Sequence, residues 1–167
     1  MPASILRCLR FFLCAVLAFP AALGASAQTA AVVDVVDANT LKLDEVTYRL
    51  WGMDAPDPEQ TCARAWPAGR EASAALARLV ANKTVQCEEK GRDREGRTTA
   101  VCTADGTDLG AAMVRDGMAW ADLVTTRAYV VQEARSTSEY RGVHGHHCKT
   151  AWEWRAQKPP EPQFRRQ

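Results

Sequence analysis

Three things are scarce in this sequence. After the first 27 residues it has no apolar run of the roughly 20 residues needed to cross a membrane, so the remainder is expected to need no bilayer. It has no strong excess of one charge: 21 Lys and Arg stand against 20 Asp and Glu, a formal net charge of +1. That balance excludes a general polyanion sponge, and any contact with nucleic acid must come from basic residues focused locally. It also has no internal repeat, which excludes a solenoid or a propeller built by stacking one unit.

The first 27 residues form a unit of their own. Arg7 and Arg10 precede an apolar run from Phe11 to Leu23, and Ala25, Ser26 and Ala27 give a small-x-small pattern. This reads as a secretory signal peptide cleaved after Ala27. Pro20 interrupts the run, which argues against a membrane anchor, and no small residues precede Cys14 as a lipoprotein would need. Loss of Arg7 and Arg10 would take the net charge to about −1. A secreted or periplasmic protein is expected, with no membrane association after cleavage.

Export changes the reading of the cysteines. Cys8 and Cys14 leave with the signal, while Cys62, Cys87, Cys102 and Cys148 remain. Four cysteines in an oxidising compartment imply two disulfides with three possible connectivities. Cys87 and Cys102 lie in two strand-like runs flanking a turn, so they can face each other across a hairpin. That leaves Cys62 with Cys148, which would tie an early loop to the end of the domain. The longer staple is worth about 4 kcal/mol in the chain-entropy picture.

The hydrophobic period changes several times along residues 28–150, which are expected to form one domain. Residues 31–36, 40–43 and 46–51 read as strands, and residues 52–67 as irregular. Ala72, Ala75, Leu76, Leu79 and Val80 sit at helical spacing within residues 71–80. Residues 84–88 and 98–102 are two further strands joined by residues 93–97. A short helix is predicted over residues 108–115, with Thr107 or Asp108 as cap and Gly117 as stop. Another is predicted over residues 127–140. Residues 151–167 read as a C-terminal tail, partly disordered, with Pro159, Pro160 and Pro162 near its end. Trp152 and Trp154 are expected to pack that segment onto the domain, and Trp120 to be core. Five short strands with a helix between the third and fourth is the order of an OB barrel. The fold class is therefore α+β, a five-stranded OB-fold barrel with about three helices.

Some residue types in this frame suit phosphodiester chemistry. Arginine grips phosphate bidentately and does not deprotonate. Arg49 on a strand and Arg97 after a turn are placed to approach one phosphate from two sides. Asp37, Asn39 and Asp54 near strand ends are candidate oxygen donors for a hard cation such as Ca²⁺. A carboxylate beside them would act as general base on water. Arg92, Arg94 and Arg97 form a local basic patch interleaved with Asp93 and Glu95.

The strings VDANTLKL at residues 36–43, YRLWGMDAPD at 48–57 and DREGR at 93–97 resemble the thermonuclease (staphylococcal-nuclease-like) family. ADG at 104–106 and AMVRDG at 112–117 add to that resemblance, which runs from about Val32 to His147. It implies hydrolysis of DNA and RNA, in single-stranded or denatured form, with Ca²⁺ as cofactor, leaving 3′-phosphate ends; a monomer is expected. It implies that Arg49 and Arg97 bind phosphate, that Asp54 ligates the metal, and that the Ala55 backbone carbonyl lies near it. Asn39 stands where the family has a second metal aspartate, and Asp57 where it has the glutamate usually cast as general base. Both departures weaken the site: Asn removes a ligand charge, and Asp is one methylene short. Asn39→Asp with Asp57→Glu is accordingly expected to raise activity, and Glu59 is a substitute base within the same loop. Glu95, Leu123 and Thr125 replace family aromatics around the nucleotide, and Asp122 adds a negative charge. The alternative to an attenuated nuclease is a catalytically inactive module of the same fold that binds nucleic acid, peptide or an envelope partner. A zinc or redox role for His144, His146, His147 and Cys148 is the weaker reading, since an exported Cys is usually oxidised.

Overall fold

The computed structural model describes residues 33–158. The expected signal peptide and cleavage point, and residues 159–167 of the expected tail, lie outside the described residues.

Three antiparallel strands open the fold: β1 (Val33–Asp37), β2 (Thr40–Leu43) and β3 (Val46–Leu50). After β4 (Met53–Asp54) and a long loop comes α1 (Ala68–Val80), then the hairpin β5 (Val85–Arg92) and β6 (Thr98–Ala104). A short β7 (Thr107–Asp108) leads into α2 (Leu109–Arg115), followed by β8 (Trp120–Ala121) and α3 (Val130–Ser138). Two short helices finish it, α4 (Gly142–Gly145) and α5 (Ala151–Ala156). The main sheet runs β1-β2-β3-β6-β5 with β7 on β6, and β4 pairs with β8 separately. The contact between β3 and β6 is parallel, with Arg49 opposite Thr99 and Leu50 opposite Ala100. This is a curved, OB-like α+β fold, and the five strands expected from sequence are its main sheet.

Alternation along the strands separates core from site. Leu41, Leu50 and Met53 are buried in a core shared with Leu76, Leu109 and Met113. Their neighbours Arg49 and Asp54 point to the opposite face, because successive strand side chains alternate. Helix α1 seats Ala68, Ala72, Leu76 and Val80 against the sheet at i, i+4 spacing. It begins three residues earlier than its apolar period shows, directly after Pro67, which suits the start of a helix. Helix α2 is capped by Asp108, whose side chain accepts from the Ala111 N–H at 3.0 Å. Gly117, at φ +70°, ends it in the left-handed conformation that glycine tolerates.

The chain beyond residue 150 contributes a helix that the sequence reading did not include. Thr150 caps α5 through a reciprocal box with Glu153, the Thr150 N–H donating to Glu153 Oε2 at 2.9 Å. Ala151 is fully buried in a second cluster with Trp120 and Val143. The Cys62–Cys148 disulfide fixes the chain just before this helix, and Cys87–Cys102 bridges β5 and β6 at directly paired positions.

The loop between β4 and α1 is braced from below. A Cβ on Gly69 would lie 1.9 Å from the Asp57 carbonyl oxygen. Only hydrogen fits there, so the loop carrying Asp57 rests directly on the first turn of α1. Gly69→Ala is expected to destabilise the fold by about 3 kcal/mol, the upper end of overpacking costs, seen as a fall in the thermal midpoint followed by circular dichroism.

Candidate active site

The candidate side chains line one groove of about 1040 Å³ between the sheet, the β4–α1 loop, the β5–β6 turn and α5. Arg49, Asp54, Asp57 and Arg97, widely spaced in sequence, all contribute to it. So do Asp37 and Asn39.

Arg49 and Asp54 are direct partners across the turn from β3 to β4. Arg49 Nη2 donates to Asp54 Oδ1 at 2.8 Å, with the two side chains 18% and 9% exposed. The second oxygen of Asp54 accepts from Arg155 Nη2 on α5. Arg155 Nη1 reaches onward to Asp57 Oδ1 at 2.9 Å, and Lys158 Nζ donates to Asp57 Oδ2 at 2.8 Å. Lys158 also pairs with Glu59. One guanidinium thus bridges the two carboxylates, and every oxygen of that pair has a cationic donor. Burial acts to raise the Asp57 carboxyl, but hydrogen bonds from Lys158 and Arg155 outweigh it and hold it below the usual aspartate value. Burial likewise opposes the charge on Arg155, and its bonds to Asp54 and Asp57 more than restore it.

Asn39 has a different task from the one its motif position implies. Its Oδ1 accepts from the Ala55 N–H at 2.8 Å, and its Nδ2 donates to the Ala55 carbonyl at 3.1 Å. The residue is 5% exposed. An amide tip is suited to this, because it offers one acceptor and two donors at the same end. Asn39 therefore clamps the backbone beside Asp54. Asp37 in turn accepts from the Asn39 N–H at 2.7 Å, an Asx turn that sets the bend between β1 and β2.

The remaining candidates are arranged around this centre. Arg97 Nε donates to Asp93 Oδ2 at 2.6 Å, and its Nη2 to Glu95 Oε2 at 3.1 Å, so its own turn holds it. Its side chain is 47% exposed, where such pairs are weak and can be exchanged for a ligand. Asp122 accepts from the Val124 N–H at 3.1 Å and pairs with Thr125, which makes it a turn former at the groove rim. Leu123 and Val124 stand exposed on that rim. Glu59, the substitute base of the sequence reading, spends its carboxylate on Lys158. Glu133 on α3 was not anticipated; its Oε1 accepts from the Ala121 N–H at 3.4 Å and anchors β8, and burial pushes its carboxyl up.

The histidines do not converge on one point. His146 stacks on Trp66 with ring centroids 4.2 Å apart, His144 Nδ1 lies 3.3 Å from Thr137 Oγ1, and Cys148 is in a disulfide. Burial lowers His144 from its ordinary value. Among the described residues no group of three or more His, Cys, Asp or Glu is placed to hold a metal ion.

The donor set in this arrangement does not fit Ca²⁺. Calcium takes roughly six to eight oxygen ligands. Here both oxygens of Asp54 and both of Asp57 are held by Arg49, Arg155 and Lys158. The Asn39 amide and the Ala55 carbonyl are held by each other. The ligand set implied by the resemblance is thus gathered in space but committed to other partners.

Sequence reasoning missed Arg155 and Lys158 because they lie about a hundred residues from Asp54 and Asp57 in a stretch read as tail. The signal that marks them is the capping box at Thr150 and Glu153, which announces a helix start.

A family profile described as staphylococcal nuclease homologue matches residues 47–140. An uncharacterized endonuclease of Haemophilus influenzae is 30% identical over 146 residues, covering 84% of this chain and 74% of that protein. The succinoglycan biosynthesis protein ExoI of Rhizobium meliloti is 31% identical over 140 residues, covering 80% and 69% respectively. The micrococcal nuclease of Shigella flexneri is 34% identical over 103 residues, covering 54% of this chain and 56% of its own.

Asn39→Asp removes the donor to the Ala55 carbonyl and turns an acceptor toward it, so it is expected to cost about 1–3 kcal/mol in denaturant unfolding at pH 7. The sequence reading treats that change as a gain, and the geometry attaches a cost to it. The loss should shrink as pH falls and the new carboxyl regains a proton to donate. Asp57, lowered below the usual aspartate value of 3.8, contributes stability that is complete above that value and is lost as pH falls through its folded value. Thermal midpoints of wild type and Asp57→Asn should therefore differ at pH 6, and the difference should shrink only below 3.8, as pH falls through the lowered folded-state value.

Proposed function

Because the chain belongs to the staphylococcal nuclease family, we propose that it is an exported protein that acts on the phosphodiester backbone of single-stranded or denatured DNA and RNA, hydrolysing it slowly. The observation that carries this reading is the convergence of Arg49, Arg97, Asp54 and Asp57 on one groove from three separate segments. The relatives named endonuclease and micrococcal nuclease support the reaction class. Two disulfides, and the absence among the described residues of any helix long and apolar enough to cross a membrane, are compatible with export.

In this reading Arg49 and Arg97 neutralise the non-bridging oxygens of the phosphate, where charge builds as water adds to phosphorus. The bond from water oxygen to phosphorus forms, the bond to the 5′ oxygen breaks, and that oxygen takes a proton as it leaves. Asp57 occupies the position of the base that receives the water proton. A carboxylate held below its ordinary value by Arg155 and Lys158 is a weak base, and base strength sets the yield of proton abstraction. Turnover is slow for that reason. Trp152, half exposed on the groove wall and edge-on to Trp120 at 6.2 Å, offers a face on which a base can stack. The calcium dependence implied by the resemblance is not carried forward, because the oxygens it needs are committed to Arg49, Arg155 and Lys158.

A second reading, a module that binds nucleic acid without cleaving it, is favoured by the same pairing of Asp57. Purified protein of residues 28–167 is tested on heat-denatured DNA, with Ca²⁺ and with chelator, beside Arg49→Ala/Arg97→Ala. Cleavage in both buffers, reduced at least about a hundredfold in the double variant, is expected for loss of phosphate contacts. Binding without cleavage, still lost in the double variant, selects the second reading. Neither binding nor cleavage by folded wild type refutes both.

A further inference from the structure

We propose that Arg155 is the resident cation of this site: its guanidinium takes the place of a metal ion between Asp54 and Asp57, and it is a third side chain that contacts the bound phosphate. The phosphate half of this inference rests on the function proposed above; the cation half does not.

The geometry supports the first half directly. A single guanidinium spans both carboxylates, one N–H to Asp54 and one to Asp57 at 2.9 Å. Its planar fork matches two carboxylates in a way that an ammonium does not. With Arg49 on the other Asp54 oxygen and Lys158 on the other Asp57 oxygen, the pair presents no free anionic edge to an entering ion.

Charge gives the second half. The groove lining carries seven acidic side chains against five arginines, Arg155 among them. A phosphate entering such a groove needs cationic donors, and Arg155 lines the groove between its two paired carboxylates. A guanidinium has five N–H donors. Two go to Asp54 and Asp57, which leaves donors for a phosphate oxygen. The side chain is 39% exposed, so it is reachable from the groove. Removing it would leave a still larger acidic excess, which is the environment that attracts a divalent cation.

The segment that delivers Arg155 is built into the domain. Cys148 is linked covalently to Cys62, and Gln60 Nε2 donates to the Lys149 carbonyl at 2.7 Å. Gln60 is itself buried in the loop that carries Asp57. The capping box at Thr150 then starts α5 immediately, and Ala151 plugs it into the cluster with Trp120. Arg155 and Asp57 are thus held from the same anchor, so their pairing is preorganised. Unlike a metal ion, a guanidinium cannot lower the pKa of a bound water. Its contribution is charge neutralisation and orientation, which accords with slow hydrolysis.

The test uses residues 28–167 in wild type, Arg155→Ala, Arg155→Gln and Arg155→Lys form, with circular dichroism and thiol content confirming fold and disulfides. Calcium binding is measured by calorimetry, and binding of a labelled oligothymidylate by fluorescence anisotropy in chelator. Wild type should show no calcium heat, while Arg155→Ala and Arg155→Gln should bind Ca²⁺ at least about tenfold more tightly, since ligand charge sets its affinity; Arg155→Lys, which keeps the charge but not the fork, should fall between them. Arg155→Ala should also weaken oligothymidylate binding about tenfold, the size of one charged hydrogen bond. Calcium binding by wild type as tight as that of Arg155→Ala overturns the cation role. Unchanged or tighter oligothymidylate binding by Arg155→Ala overturns the phosphate role and marks α5 as a plug. If wild type binds no oligothymidylate, the proposed function fails, and the calcium arm still decides whether Arg155 holds the place of the cation.

Discussion

Two carboxylates held side by side in a partly closed groove must be neutralised, and most of this site follows from that requirement. The side chains of Asp54 and Asp57 are 9% and 16% exposed. A charge withdrawn from water and left without a partner costs several kcal/mol. The chain meets the need from three directions: Arg49 from β3, Arg155 from α5 and Lys158 just beyond it. The C-terminal helix is thus part of the site's electrostatics, and the disulfide that anchors it serves the groove as much as the fold.

Neutralisation works only because the backbone around the carboxylates is rigid. Asn39 clamps Ala55 by both backbone polar groups, and Gly69 lets the Asp57 carbonyl approach α1 more closely than a side chain would permit. Gln60 ties the same loop to Lys149. These contacts fix the carboxylates in a preorganised frame. The same frame commits the oxygens that a calcium ion would need to Arg49, Arg155, Lys158 and the Asn39–Ala55 pair.

The main sheet was legible because apolar and polar residues alternate in the sequence of its strands: Leu41 and Leu50 are buried in the core while Arg49 lines the groove. The helix bearing Leu76 was legible for the parallel reason, a 3.6-residue apolar period, and Cys87 and Cys102 were placed as partners by their hairpin. The motifs around Arg49, Asp54 and Arg97 did lead to one groove. What sequence could not show was the use to which each polar group is put. Asn39 and Ala55 are 16 residues apart, and nothing local reveals that the amide serves the backbone. Arg155 lies 101 residues from Asp54, on a six-residue helix whose stability comes from a cap, a disulfide and one buried alanine rather than from a periodic apolar face. Short elements held by tertiary contacts leave little trace in composition, and the proline-rich end obscured what remained.

The most direct test of the account is a crystal structure of residues 28–167 grown with Ca²⁺ and a short oligothymidylate. The account predicts a backbone phosphate contacted by Arg49, Arg97 and Arg155, with the guanidinium of Arg155 still bridging Asp54 and Asp57. A calcium ion between Asp54 and Asp57, with Arg155 turned out to solvent, would contradict it.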